Sequence, residues 1–438
     1  MKKLALLIIP WIIVIGACKR SGNQNKETVP GAAPKKEELK AEPATSPGIN
    51  RPNVNLYLEN SGSIFGYINP QSSQYKQAIN DLYFYLTSRC DTITTYTIND
   101  EIINEGINND GFITGLSRAS LEQGEPGNSD ILEMFTRSLE AVNRHSVSIL
   151  ISDGIYDIKD YTIDNLQTKQ SQITYRVFMP NIKDQNLQTI VAKMSSEFNG
   201  TYFPCCGYDP VHIQQKRPYY IWIFGNEATI QKTRIISRIN ELDGFRHIHE
   251  YSRNIGAPKY SVIPYNQKGS YQNDFDLSEL EAPFCNAVSD AQPAHGGASK
   301  GEFHFSVALD LSGFPIDKDY YQNLDNYECT GGYQIEEIVS GQELEGIPNG
   351  RLYPFERGEV THLVTFSKSG NPWREVHLRL KENMPQWIQA THSDQDHHIE
   401  GDTSHTIGFR YLMQGIDQAY NRATESDYLF DVTIDINQ

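Results

Sequence analysis

Three separated stretches of the chain carry side chains that could share one chemistry: LYLENSGSIFGY at 56–67, GNSDILEMF at 127–135 and ILISDGIYD at 149–157. Glu59, Ser61, Ser63, Ser129 and Asp153 offer two carboxylates and three hydroxyls. These are hard oxygen donors, suited to octahedral Mg²⁺ or Mn²⁺ with water and one open position. Two carboxylates brought together without a cation would repel or share a proton. The sequence itself shows no charge partner beside either, so a divalent ion is the expected relief.

Positioning those residues requires a particular framework. Val54, Leu56 and Leu58 alternate with polar neighbours, which predicts a strand ending in the turn Asn60-Ser61-Gly62-Ser63. Ile79, Leu82, Tyr83 and Leu86 are spaced as a helix, and Ile93 to Ile98 alternates as a strand. A capped helix is predicted from Ser129 or Asp130 to about Asn143. Val147 to Ile151 is the continuous apolar run of a strand covered on both faces, as is Tyr219 to Phe224. Strands alternating with helices imply a doubly wound, mostly parallel sheet, in which ligands sit beyond the carboxyl ends of the strands. Residues 163–204 stay open between helix and strand pair: Leu187, Ile190, Val191 and Met194 suit either.

In this order and context the motifs resemble the von Willebrand factor A domain, whose metal-ion-dependent adhesion site uses Asp-x-Ser-x-Ser, a Thr before a later helix, and an Asp after the fourth strand. The resemblance covers residues 52 to 245. It places Glu59, Ser61 and Ser63 in the first motif, Ser129 at the Thr and Asp153 at the Asp. Glu59 is one methylene longer than Asp and Ser129 lacks a methyl, which implies weak affinity and a preference for Mn²⁺ or Ca²⁺ over Mg²⁺. The mechanism implied is binding, with a carboxylate of a protein partner completing the metal's octahedron.

Beyond about Tyr251 the texture becomes β-rich, with period-2 runs at Phe303 to Leu309, Val376 to Leu380 and Phe430 to Ile436. One helix interrupts them, from Ser404 or Thr406 to Arg422. The architecture expected is therefore an α/β, von Willebrand A-like domain at 51–250, then a β-rich, sandwich-like domain with one packed helix at 251–438.

The first eighteen residues, MKKLALLIIPWIIVIGAC, combine Lys2 and Lys3 with an apolar run and a small-residue approach to Cys18. This is a secretory signal too short to span a bilayer. Ile15-Gly16-Ala17-Cys18 resembles the lipobox of bacterial lipoproteins, implying a signal peptide at 1–17 and lipidation of Cys18. Residues 18–50, rich in Pro, Lys, Glu, Ser and Gly, read as a disordered tether. The expected location is the cell envelope, anchored by lipid to a bacterial membrane, taken as the outer one, and facing periplasm or exterior. Of the other cysteines, Cys90, Cys205, Cys206, Cys285 and Cys329, an odd number cannot all pair, and their spacing fits no zinc pattern.

The formal charge is −17, and residues 1–50 hold eight basic and four acidic residues, leaving −21 for the rest. Nucleic acid is excluded as a partner, since that affinity comes from Lys and Arg. No HExxH or phosphate-binding glycine loop occurs, and no GxSxG elbow follows a predicted strand. His392, Asp394, Asp396, His397, His398 and Glu400 form a ligand-capable run without helical or strand spacing, read as a solvated loop. Protein binding is thus preferred over catalysis. A glycan-binding C-terminal half is the alternative, and a hydrolase using Glu59 or Asp153 as base is a third reading that lacks a nucleophile.

Overall fold

The computed structural model describes residues 51–438 apart from 71–72, 123–129, 156–162, 205–207, 253–256, 267–268, 271–274, 278–283, 298, 315, 346, 348–351, 353, 357, 373 and 425–426. The signal segment, Cys18, the tether, Ser129, Cys205 and Cys206 lie outside the described residues.

Seven strands form the main sheet: β1 (Asn53–Glu59), β2 (Ile93–Ile98), β3 (Ile102–Ile107), β4 (Ser146–Ser152), β5 (Leu187–Tyr202), β6 (Val211–Asn226) and β7 (Phe245–Tyr251), in the order β3-β2-β1-β4-β6-β5-β7. Six helices precede β5: α1 (Phe65–Ile68), α2 (Gln74–Thr87), α3 (Asp110–Thr114), α4 (Arg118–Leu121), α5 (Ile131–Glu140) and α6 (Ile163–Gln185). Every residue of β4 is buried, as its unbroken apolar run requires. Asp130 caps α5 by accepting from the Leu132 and Glu133 N–H groups, and Ile131, Leu132, Phe135 and Leu139 turn inward.

Parallel pairing is confined to β2-β1-β4; the remaining neighbours are antiparallel. The mostly parallel sheet suggested by the sequence is therefore mixed. The cause is the stretch left open between helix and strand. It forms α6 and then a long hairpin whose register runs from Leu187 opposite Asn226 to Tyr202 opposite Val211. The first ten residues of β5 are all buried, which removes the period that identifies a strand.

Beyond β7 lie a four-stranded antiparallel sheet (334–340, 362–369, 302–310, 259–263) and a five-stranded sheet (276–277, 287–289, 428–436, 374–381, 327–329). Phe303, Phe305, Val307 and Leu309 from one and Val376, Leu378, Val432 and Ile434 from the other share an apolar cluster. The runs at Val376–Leu380 and Phe430–Ile436 thus bury one face each, whereas Phe303–Leu309 is buried on both.

The helix Phe409–Thr424 departs from expectation. Its stripe of Phe409, Leu412, Met413, Ile416 and Tyr420 joins the core of the seven-stranded sheet, together with Trp387, Ile388 and Ile407. It lies against α6 so closely that a Cβ on Gly415 would stand 2.5 Å from the Ser171 carbonyl oxygen and from Thr174 Cβ. The packed helix assigned to the β-rich half covers the first sheet instead, because an amphipathic stripe reveals which face is apolar but not what it meets. Cys90 and Cys285 are buried and Cys329 half-buried, none of them in a disulfide among the described residues.

Candidate functional site

Parallel neighbours end on the same edge of a sheet, so β1 and β4, in register with Leu58 beside Ile151, deliver Glu59 and Asp153 side by side despite the 94 positions between them. The Asp153 N–H donates to Glu59 Oε2 at 3.2 Å. The turn after β1 brings in Ser61 and Ser63: their hydroxyls are 3.1 Å apart, and Ser63 donates to Asp153 Oδ2 at 2.5 Å. Asp153 Oδ1 accepts the Ile155 N–H at 3.0 Å, while Ser152 Oγ accepts the Gly154 N–H at 2.9 Å. Gly154 has φ +70 and a Cβ there would meet the Tyr220 ring at 2.8 Å, so this turn requires glycine. Four of the five residues singled out from sequence therefore converge, and Ser129 lies outside the described residues.

The cluster is enclosed. Glu59 is 0% and Asp153 2% exposed, with Ser61 at 4% and Ser63 at 7%. The half-exposed Phe203 stands over the turn, its ring 3.0 Å from where a Gly62 Cβ would be. Burial pushes the Asp153 carboxyl up, against the opposing effects of the Ser63 hydroxyl, the Ile155 N–H and the Arg217 guanidinium. Arg217 is the charge partner invisible in the sequence. It is buried, donates to the Asp402 carbonyl at 2.9 Å and faces the Tyr202 ring at 5.1 Å.

Around it, Tyr67 donates to the Pro218 carbonyl at 2.5 Å, Tyr202 to Asp396 Oδ2 at 3.1 Å, and Tyr220 bonds Thr406 Oγ1 at 2.9 Å. Burial raises all three phenols well above their ordinary range, with Asp153 adding to it. Nothing in the spacing announces Tyr67, Tyr202 or Arg217, two of which lie on the β5–β6 hairpin. The only trace is an arginine set directly before the apolar run PYYIWIF.

The His392–Glu400 run is only in part the solvated loop its composition suggests: Asp394, His398 and Glu400 are exposed, but Asp396 is not. Asp396 is 4% exposed and holds Tyr202, while Asp394 accepts from Tyr411 at 2.5 Å and bonds His392 at 3.0 Å. Asp396 thus ties the segment to Tyr202 on β5 and Asp394 ties it to Tyr411.

The donor chemistry fits a hard divalent ion. Cis ligands of octahedral Mg²⁺ or Mn²⁺ are about 2.9–3.1 Å apart, and the Ser61–Ser63 separation of 3.1 Å matches that edge. The residues that would hold the ion are Glu59, Ser61, Ser63 and Asp153. Among the described residues no group of three or more His, Cys, Asp or Glu side chains is placed to hold a metal, so the hydroxyls are essential to any such site. No helix among the described residues is long and apolar enough to cross a membrane. No family model and no curated protein matches the chain.

Proposed function

We propose that this protein is a lipid-anchored, extracytoplasmic binding protein. Cys18 holds it to a bacterial membrane, residues 18–50 act as a tether, and a von Willebrand A-like layer, joined to a sandwich-like β-rich half, engages a protein partner. The observation that carries the reading is the convergence of Glu59, Ser61, Ser63 and Asp153 at the carboxyl edge of two adjacent parallel strands. The Ser61–Ser63 turn with Phe203 over it is the contact surface, because these are the members of the cluster nearest solvent. A bound divalent ion would supply a Lewis-acidic position for a carboxylate and offset the two buried negative charges. The protein's own groups hold that geometry: Ser63 and the Ile155 N–H fix the Asp153 carboxylate, and Glu59 accepts the Asp153 N–H.

The test is thermal. Mn²⁺ or Ca²⁺ at millimolar concentration is expected to raise the Tm, by about 2.7 kcal/mol of stability at a hundredfold excess over Kd. Asp153→Ala should abolish that dependence, and a partner recovered by pull-down should be released by chelator. An unchanged Tm with Mg²⁺, Mn²⁺ and Ca²⁺ alike removes the metal. Chelator-indifferent capture of the same partner, lost in Phe203→Ala, would leave the binding surface without it.

A separate expectation concerns the anchor. Cys18→Ser should shift the protein from the membrane fraction to the soluble one, since each acyl methylene buried in a bilayer contributes about 0.8 kcal/mol. Unaltered membrane retention and processing in that variant would sink the lipoprotein reading.

A further inference from the structure

A cationic cleft stands out on this acidic molecule. Lys193, Lys216, Arg246 and His247 line a space of about 410 Å³ with Ser195 and Ser404, and no carboxylate is among the described residues lining it. The sheet builds it through an irregularity. Lys193 pairs with His247 but Met194 with Phe245, so Arg246 is the extra residue of a β-bulge. Such bulges re-aim a side chain.

Among the described residues neither Lys193 nor Arg246 forms an ion pair, and the Asp402 carboxylate acts on Lys193 only from beyond contact distance. Lys193, only 8% exposed, gives two of its three N–H groups to neutral oxygens, Thr391 Oγ1 at 2.6 Å and the Ser404 carbonyl at 3.0 Å. Arg246 bonds the Phe245 carbonyl at 2.8 Å. Lys216 is 3.6 Å from Glu197. A largely buried ammonium with no carboxylate in direct contact is costly, and an anion beside it offsets that cost.

His247 also lines a neighbouring cavity of about 580 Å³. Its ring lies parallel to Trp387, planes 4° apart at 5.4 Å, and its Nδ1 bonds Asp317 at 2.7 Å. Trp387, 7% exposed, lines this cavity too, and its Nε1 has no acceptor among the described residues. Carboxamides of Asn323, Asn326, Gln386 and Gln389 and the carboxylates of Asp317 and Asp319 complete the wall. That mixture of donors and acceptors suits sugar hydroxyls, each of which both gives and takes a hydrogen bond.

We propose that the two cavities form one cleft for an acidic saccharide, its carboxylate among Lys193, Lys216 and Arg246 and its uncharged part extending past His247 to Trp387 and the carboxamides. A polyphosphate would meet Asp317 and Asp319, and a neutral glycan would leave Lys193 and Arg246 unmatched. The site shares no residue with the Glu59–Asp153 cluster and stands or falls independently of it.

Calorimetry on the full-length protein decides it, using a panel of uronate- and sialate-bearing trisaccharides, galactotriose, and sodium sulfate. At least one acidic trisaccharide should bind, and galactotriose should bind at least about tenfold more weakly. Arg246 is exposed, so Arg246→Ala should keep its Tm yet lose at least about tenfold in affinity. Trp387→Phe, which removes only the N–H donor and part of the ring, should weaken the trisaccharide severalfold and leave sulfate unaffected. No heat from any acidic trisaccharide at millimolar concentration overturns the proposal. So does sulfate matching the trisaccharide with Trp387→Phe silent, which would mark a simple anion site.

Discussion

Expressed alone, residues 51–251 are expected to remain molten, with near-UV signals lost and a broad, non-cooperative thermal transition. The sequence draws a boundary near Tyr251, where βα alternation gives way to period-2 strands. Yet Phe409, Leu412, Met413, Ile416 and Tyr420 fill the core of the seven-stranded sheet, at 0% exposure each. Burying a large apolar side chain contributes about 1.5–3 kcal/mol, so five of them amount to about 10 kcal/mol. That equals the whole stability of an ordinary domain, about 5–15 kcal/mol. Tyr420 adds hydrogen bonds to Thr189 Oγ1 at 2.9 Å and the Leu187 carbonyl at 3.0 Å, anchoring the helix to the start of β5.

A point substitution probes the same contact in the intact chain. Gly415→Leu must displace the Ser171 carbonyl or part the two helices, since even a Cβ has no room there. Overpacking of this kind costs about 1–3 kcal/mol, and more where backbone blocks the way. Urea titration reads it directly. A cooperative 51–251 fragment of native-like stability, or an unperturbed Gly415→Leu, would mean the helix is an accessory to the first core.

What the sequence makes legible here is local. Asp130 before an apolar stripe and the run from Val147 to Ile151 specify their elements because cap chemistry and two-sided burial leave direct marks. The approach of Glu59 to Asp153 is readable too, once both are placed at ends of adjacent parallel strands. Pairing partners are another matter. Leu187 to Ser196 is buried on every side and carries no period, so the hairpin that turns the sheet antiparallel has no signature in its own residues. The same hairpin supplies Tyr202 and Arg217, and with them the electrostatic surroundings of Asp153. Long-range packing chose these neighbours, and local pattern holds no record of that choice.

Buried acids were equally invisible, and they carry the second large effect: stability is expected to fall as pH rises from about 4 to 8, and Glu250→Gln or Glu382→Gln should flatten that fall. Glu250 on β7 is 3% exposed and Glu382 9%. Burial pushes both carboxyls up to about 8, with Gln188 Nε2 donating to Glu250 Oε1 and opposing the shift, and Asp417, Asp427 and Glu250 adding to it at Glu382. Burial likewise lifts Asp417, on the helix over this sheet, to about 6. An unfolded glutamate titrates near 4.3. Between that value and about 8 the unfolded chain has released protons that the folded one retains, so each group removes up to about 1.4 kcal/mol per pH unit. Above 8 the loss levels off.

His249, fully buried and lowered to about 3 by burial, acts in the opposite sense. The unfolded imidazole takes a proton below about 6.5, so stability is also lost as pH falls from there toward 3. The acids and the histidine therefore oppose one another between about 4.3 and 6.5, and the steepest net loss should lie between about 6.5 and 8. Glutamine keeps the neutral shape of a protonated glutamate, so each variant should match the parent near pH 4 and exceed it at pH 8 by several kcal/mol. Urea denaturation at pH 4, 6 and 8 measures the difference between variant and parent, in which unrelated carboxylates cancel. Identical pH slopes in parent and both variants would show that these carboxyls ionise in the folded protein as they do in water.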